Sequence, residues 1–227
     1  MRLLVSVRNV DEALIAARAG VGFIDLKEPG RGALGDVPLP TIREVVGALR
    51  RQGVGLPVSA TIGDLPMAQR TEILARVAAV DACGVDYVKV GITPGPGAEA
   101  VLQGLASCGA RVVPVFLADF GIDGTLLDLA VALGFKAIMA DTADKASGSL
   151  LGRMPRSTIA GFVTRVQAAR ALAGVAGSLR ADDLPALRAL APDFAGFRGA
   201  VCDGHRNGPI DPRRLQALVQ CSAICAT

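Results

Sequence analysis

Residues 17–27 read ARAGVGFIDLK, residues 81–90 read DACGVDYVKV and residues 131–141 read VALGFKAIMAD. Each is the tail of an Ala-rich amphipathic stretch, then a glycine, then a short run rich in β-strand formers. A glycine suits the left-handed position just past a helix end, so Gly20, Gly84 and Gly134 mark helix-to-strand junctions. The same alternation extends to both sides. Candidate strands are Leu3–Val7, Phe23–Lys27, Pro57–Ile62, Asp86–Val90, Arg111–Leu117, Ala137–Asp141, Ala173–Gly177 and Asp193–Arg198. Helical patterns fall near 11–19, 40–52, 68–82, 98–107, 125–133, 157–170, 181–190 and 211–221. Eight strands alternating with eight helices predict an α/β fold, a single-domain (β/α)8 TIM barrel over residues 1–227. A doubly wound open sheet is the alternative; the length and the count of eight favour the barrel. The longest connection, Thr142–Arg156, contains GSLLGRMP and is expected to serve as a lid.

The composition narrows the function classes. Net charge is only +3 and no basic tract occurs, which argues against nucleic acid or a membrane surface as partner. With no Trp and one Tyr (Tyr87), there is no platform for stacking bases. No apolar run approaches a membrane span, and the start MRLLVSVRNVDEAL is too short in apolar residues for a signal peptide. The five cysteines, Cys83, Cys108, Cys202, Cys221 and Cys225, form no CxxC pair, so a reduced, cytoplasmic chain is expected. One helical turn separates Cys221 from Cys225. His205 is the only histidine, which makes a zinc site a poor reading, and no metal is expected. The apolar end VQCSAICAT leaves a homo-oligomer open.

Barrel enzymes build their sites at the carboxyl ends of the strands. Here those ends read IDLK, SATIGD, YVKVG and MADTADK. Side chains two apart share a face, so Asp25 points with Lys27, Ser59 with Thr61, and Tyr87 with Lys89. Lysine usage is the strongest internal clue. Of 24 basic residues, 20 are Arg and four are Lys: Lys27, Lys89, Lys136 and Lys145. A guanidinium suffices for charge, but only an amine forms an imine or readily acts as a base. Three of the four lysines fall at or just past the ends of the second, fourth and sixth candidate strands. Lys136 opens the sixth strand and belongs to the opposite face.

The last two junctions, AGSLRADDL and FRGAVCDGHRNGPID, read as a phosphate site. Loops after strands seven and eight commonly bind phosphate through backbone N–H groups. Gly177 and Ser178 supply one half, and Arg198, Gly199 and Ala200 the other. Plain turn chemistry is the competing reading. Arg31, in the Gly-rich stretch PGRGALGD (29–36), is a weaker candidate for a phosphate or carboxylate contact. His205 and Arg206 lie in the last loop; a lone loop histidine is more often solvated than functional. Cys202 reads as packing.

Taken together, LLVSV, FIDLKEPGRGALG, PVSATIGD, DYVKVG, MADTADK, AGSL and FRGAVC resemble the (5-formylfuran-3-yl)methyl phosphate synthases, also called 4-(hydroxymethyl)-2-furancarboxaldehyde-phosphate synthases. The resemblance runs from Leu3 to about Asp211 and keeps the motif order. It implies a lyase that makes a furan phosphate from two molecules of glyceraldehyde 3-phosphate, releasing phosphate and water. The product is the furan precursor of methanofuran, a C1-carrier cofactor, and of the related methylofuran. The resemblance implies Lys27 as imine former and Lys89 as proton acceptor. Asp25, Asp141 and Lys145 match further active-site positions. The segment GHRNGPID departs from the family pattern around His205. An Arg- and Ala-rich composition looks bacterial, which on the resemblance points to methylofuran in a methylotroph.

The expected mechanism is Schiff-base chemistry, with no cofactor required. Lys27 attacks a triose-phosphate carbonyl, and like-charge repulsion from Lys89 or Lys145 is expected to lower its pKa. Asp25 and Asp141 orient the amines and shuttle protons. A class I aldolase or sugar-phosphate isomerase on the same barrel would share lysine and phosphate site without expelling phosphate. A non-catalytic sensor of a phosphorylated metabolite would bind without turnover, but could use Arg throughout.

Overall fold

The protein is described from a computed structural model covering residues 1–145 and 148–224. Eight parallel strands close into a barrel in sequence order. They are β1 (Arg2–Val7), β2 (Phe23–Leu26), β3 (Val58–Thr61), β4 (Tyr87–Ile92), β5 (Val112–Leu117), β6 (Ala137–Asp141), β7 (Leu172–Val175) and β8 (Phe194–Phe197). Pairing of β8 back onto β1, with Phe197 opposite Val5, completes the ring and leaves no sheet edge. The fold is therefore the TIM barrel and not the open sheet.

The α-helices are α1 (Val10–Ala19), α2 (Leu39–Arg51), α3 (Arg70–Asp81), α4 (Ala98–Ser107), α5 (Gly124–Ala132), α6 (Leu150–Arg153), α7 (Arg156–Ala168), α8 (Leu184–Leu190) and α9 (Pro212–Ile224). Gly20, Gly84 and Gly134 sit at φ 81°, 85° and 78°, the left-handed conformation that the three repeated junctions require. The structure adds one helix to the expected eight. The connection 142–156 is not a plain loop, because α6 lies within it and Leu150 is fully buried. Residues 146 and 147 of that connection lie outside the described residues.

Strand alternation sorts the apolar residues into two cores. Outward-facing residues such as Val5, Ile24, Val88 and Ile138 pack against the helices in one large cluster. Inward-facing Leu4, Phe23, Val113, Met139 and Phe194 fill the lower barrel, where the Phe23 and Phe194 rings meet at 5.3 Å. That apolar plug closes the amino-terminal end, so polar side chains entering the barrel above it face only its carboxyl end. No helix among the described residues is long and apolar enough to cross a membrane. Helix α9 carries Cys221, which is exposed and free, while Cys225 lies outside the described residues.

Candidate active site

The register places Ser6, Asp25 and Ser59 side by side on β1, β2 and β3, all pointing inward. Asp25 is fully buried. Its carboxylate accepts from Ser6 Oγ at 3.0 Å and Ser59 Oγ at 2.6 Å, and pairs with Lys89 Nζ at 3.1 Å. Burial opposes its ionisation, yet the Lys89 and Lys27 ammonium groups and the Ser59 hydroxyl together hold its carboxyl below the usual range.

A second carboxylate, Asp141, ends β6 and is also fully buried. Its Oδ1 accepts from the Thr142 N–H at 2.7 Å and from Lys145 Nζ, which the turn DTADK folds back onto it. Its Oδ2 faces Lys27 Nζ at 3.7 Å and has no hydrogen-bond partner among the described residues. Burial again opposes ionisation, but Lys145 and Lys27 outweigh it and draw the carboxyl down to about 2.

Lys27 follows β2 and is 6% exposed. Its backbone N–H continues the barrel ladder to the Val7 carbonyl at 3.0 Å, which fixes the side chain inside the ring. Its pKa is drawn down to about 8, with burial as the largest cause. Asp141 partly restores it, and Lys145 and Lys89 lower it further. Like-charge repulsion, the cause expected from the sequence, thus acts but is secondary to desolvation. An amine near pH 8 has an appreciable neutral fraction at physiological pH, which nucleophilic attack on a carbonyl requires.

These groups floor a cavity of about 420 Å³ at the carboxyl end, a size suited to small metabolites. Lys27, Lys89, Asp141 and Lys145 line it. So do Gly177, Ser178, Arg198, Gly199 and Ala200, together with His205 and Arg206. The structure brings nine of the expected site residues to one chamber, with Asp25 paired to Lys89 beside it. Arg31 and Lys136 are not part of it. Arg31 pairs at the surface with Asp36 at 3.6 Å, and Lys136 precedes β6 at the closed end.

Within the phosphate-type loops the roles shift. Ser178 has φ 46°, a left-handed conformation that costs a non-glycine residue about 1 kcal/mol or more. Its hydroxyl donates to the Lys145 carbonyl at 2.9 Å and so ties the β7 loop to the lysine turn. At the neighbouring Gly177, a side chain would collide with Thr142 at 2.8 Å. Gly199 and Ala200 lead a 3-10 turn, whose first N–H groups have no partner within the turn.

Arg198 departs from expectation. Its guanidinium is bidentate to Glu12, and it also donates to the carbonyls of Ser6 (3.0 Å), Arg206 (3.0 Å) and Gly208 (2.7 Å). With its donors committed in this way, it braces the loop instead of offering a free fork to an anion. Cys202 is fully buried and its thiol is pushed up by burial, in keeping with packing.

Sequence reading gave no role to Ser6, Glu12 or Arg206. Ser6 sits in the apolar run LLVSV, and its partner lies 19 residues away. Glu12 looks like an ordinary acidic first-turn residue of α1.

Comparison with known proteins finds relatives along nearly the whole chain. The family model described as 4-HFC-P synthase matches residues 3–219. The chain is 33% identical over 238 aligned positions to the (5-formylfuran-3-yl)methyl phosphate synthase of Methanosarcina barkeri, covering 98% of this chain and 100% of that one. The enzyme of the same name from Methanopyrus kandleri is 34% identical, covering 98% and 99%. A Methylorubrum extorquens protein to which that name is provisionally given is 37% identical, covering 96% and 90%. Among solved structures, phosphoribosyl anthranilate isomerase from Thermus thermophilus superposes with a TM-score of 0.69 over 99% of both chains. At 17% identity that likeness speaks to the fold alone.

Proposed function

The chain belongs to the 4-HFC-P synthase family, and from that premise we propose that it condenses two molecules of glyceraldehyde 3-phosphate into (5-formylfuran-3-yl)methyl phosphate through an imine on Lys27. The observation that carries this reading is the state of Lys27: a buried amine, with its pKa drawn down to about 8, at the floor of a cavity lined by phosphate-type loops.

In this reading Lys27 adds to a triose-phosphate carbonyl and, with loss of water, becomes a protonated imine. That cation draws electrons from the adjacent carbon and acidifies its C–H bond. Lys89 accepts the proton in its neutral form, reached once its own proton has passed on by way of Asp25, and the resulting enamine adds to the second aldehyde. Asp25, locked against Lys89 by Ser6 and Ser59, holds that amine in place and takes part in relaying its proton. Asp141 and Lys145 serve the carbonyl and hydroxyl oxygens as water and one phosphate are lost and the ring closes. The N–H groups of Gly177, Ser178, Gly199 and Ala200 hold one phosphate. Arg198 keeps that loop in shape. The role follows as provision of a furan precursor of the methanofuran or methylofuran type, in the cytoplasm.

The test is one assay. Incubation with glyceraldehyde 3-phosphate should release one phosphate per two trioses consumed, with growth of a furan absorbance in the ultraviolet. Consumption of triose with no phosphate release would indicate an aldolase or isomerase. Saturable binding without turnover would indicate a sensor.

A further inference from the structure

The proposed reaction brings two phosphate groups into one cavity, and the loops after β7 and β8 account for one of them. The cations around the cavity differ in how far they are already neutralised. Lys27 and Lys145 share Asp141, Lys89 is paired with Asp25, and Arg198 is paired with Glu12. Arg180 and Arg206 also line the cavity and form no ion pair with a carboxylate among the described residues; Arg180 is exposed, whereas Arg206 is half-buried. The Arg206 guanidinium makes one long hydrogen bond, to the Gly32 carbonyl at 3.4 Å.

That contact joins two loops at the carboxyl end of the barrel. Arg206 belongs to the loop after β8, and Gly32 to the loop that begins directly after Lys27. Both ends are fixed. The Arg206 carbonyl accepts from Arg198 Nε at 3.0 Å, and the next carbonyl, of Asn207, accepts from Arg8 at 2.9 Å. At Gly208 a side chain would collide with the Asp203 carbonyl at 2.2 Å, so the turn is tight. In the loop after β2, the Ala33 N–H donates to Asp64 at 2.8 Å, and Asp64 lies where a side chain on Gly32 would be. A guanidinium with no carboxylate in direct contact, lining the same cavity as Lys27 and facing the charges of Asp141 and Asp64 only at longer range, can recognise a phosphate by a forked pair of hydrogen bonds.

We propose that Arg206 binds the second phosphate group, on the triose that adds to the Lys27-bound one. This rests on the two-triose reading above, and it predicts a division of labour. The loops after β7 and β8 hold the triose on Lys27, while Arg206 draws in its partner. Burial lowers the guanidinium's pKa, and an arginine side chain keeps its charge in proteins.

The experiment compares wild type with Arg206→Gln and Arg206→Lys. The amount of Lys27 adduct trapped by borohydride, as a function of glyceraldehyde 3-phosphate, should change less than about threefold in Arg206→Gln. KM for furan formation should rise roughly 10- to 100-fold, the scale of one charge-assisted hydrogen-bonding group. Inorganic phosphate, as product inhibitor, should weaken to a similar degree. Arg206→Lys should recover part of both. Normal furan kinetics in Arg206→Gln would overturn the assignment. So would an equal loss of trapping and turnover, because Arg206 would then serve the first phosphate. If wild type itself makes no furan, the two-triose reading has failed, and that is seen before any variant is measured.

Discussion

Two buried ion clusters stand within the same end of the barrel and are built on opposite principles. Around Glu12, Arg8 and Arg198 are bound so completely that their guanidiniums reach two carboxylate oxygens and several backbone carbonyls. Around Asp25 and Asp141, three lysines share two carboxylates, and Asp141 Oδ2 has only Lys27 at 3.7 Å for company. Burial opposes charge in both places. The arginine cluster offsets that cost with hydrogen bonds and gains rigidity. The lysine cluster leaves it partly unmet, which is why Lys27 is drawn down to about 8. A fully satisfied cluster holds a loop; an undersatisfied one holds reactivity.

Removing a member of each should therefore have opposite consequences. The largest effect is on turnover. Lys27→Arg keeps the positive charge beside Asp141 but cannot form an imine, so furan production should fall on the order of 10⁴-fold or more in a folded enzyme. Turnover within tenfold of wild type would dissolve the distinction between the clusters.

Next is stability. Arg198→Met strands Glu12 without its main partner and should cost about 3–5 kcal/mol, lowering Tm by roughly 10 °C. Lys27→Met should instead raise stability at neutral pH, by at most about 3 kcal/mol. The sign follows from proton linkage. The unfolded lysine keeps its proton to about 10.5 and the folded one releases it near 8, so folding is disfavoured most below pH 8. As pH rises from 8 towards 10.5 the wild type recovers, and the advantage of Lys27→Met should shrink. Denaturant unfolding at pH 7 and pH 10 measures both.

A smaller effect appears in the pH profile. The limiting rate constant for imine formation should rise with pH through about 8 as Lys27 loses its proton. Asp141→Asn removes the carboxylate that favours the ammonium form and should move that midpoint down. Lys145→Met removes a like charge and should move it up. Midpoints that do not move in these directions would show that Lys27 is tuned by some other neighbour. The smallest effect is the surface control. Arg165 and Asp128 form an exposed pair, and Arg165→Ala should change stability by no more than about 1 kcal/mol with activity unaltered.

The same contrast explains what could be read from sequence. The barrel was legible because period-2 and period-3.6 patterns are local, and because Gly20, Gly84 and Gly134 are required by local backbone geometry. The lysine cluster was legible from the scarcity of lysine and from the pleat, which places Asp25 with Lys27. The arginine cluster was not. Glu12 and Arg198 are 186 residues apart, and only barrel closure between β1 and β8 makes them neighbours. Arg198 therefore read as a phosphate ligand when its donors were already committed. Helix α6 also escaped notice, since four residues are too few to show a period.

The central claim is that Lys27 is the amine that carries substrate. Incubation with glyceraldehyde 3-phosphate, reduction with borohydride and peptide mapping test it directly. A single triose-phosphate adduct on Lys27, absent from Lys27→Arg, is the result predicted here. An adduct on Lys89 or Lys145, or undiminished trapping in Lys27→Arg, would contradict it.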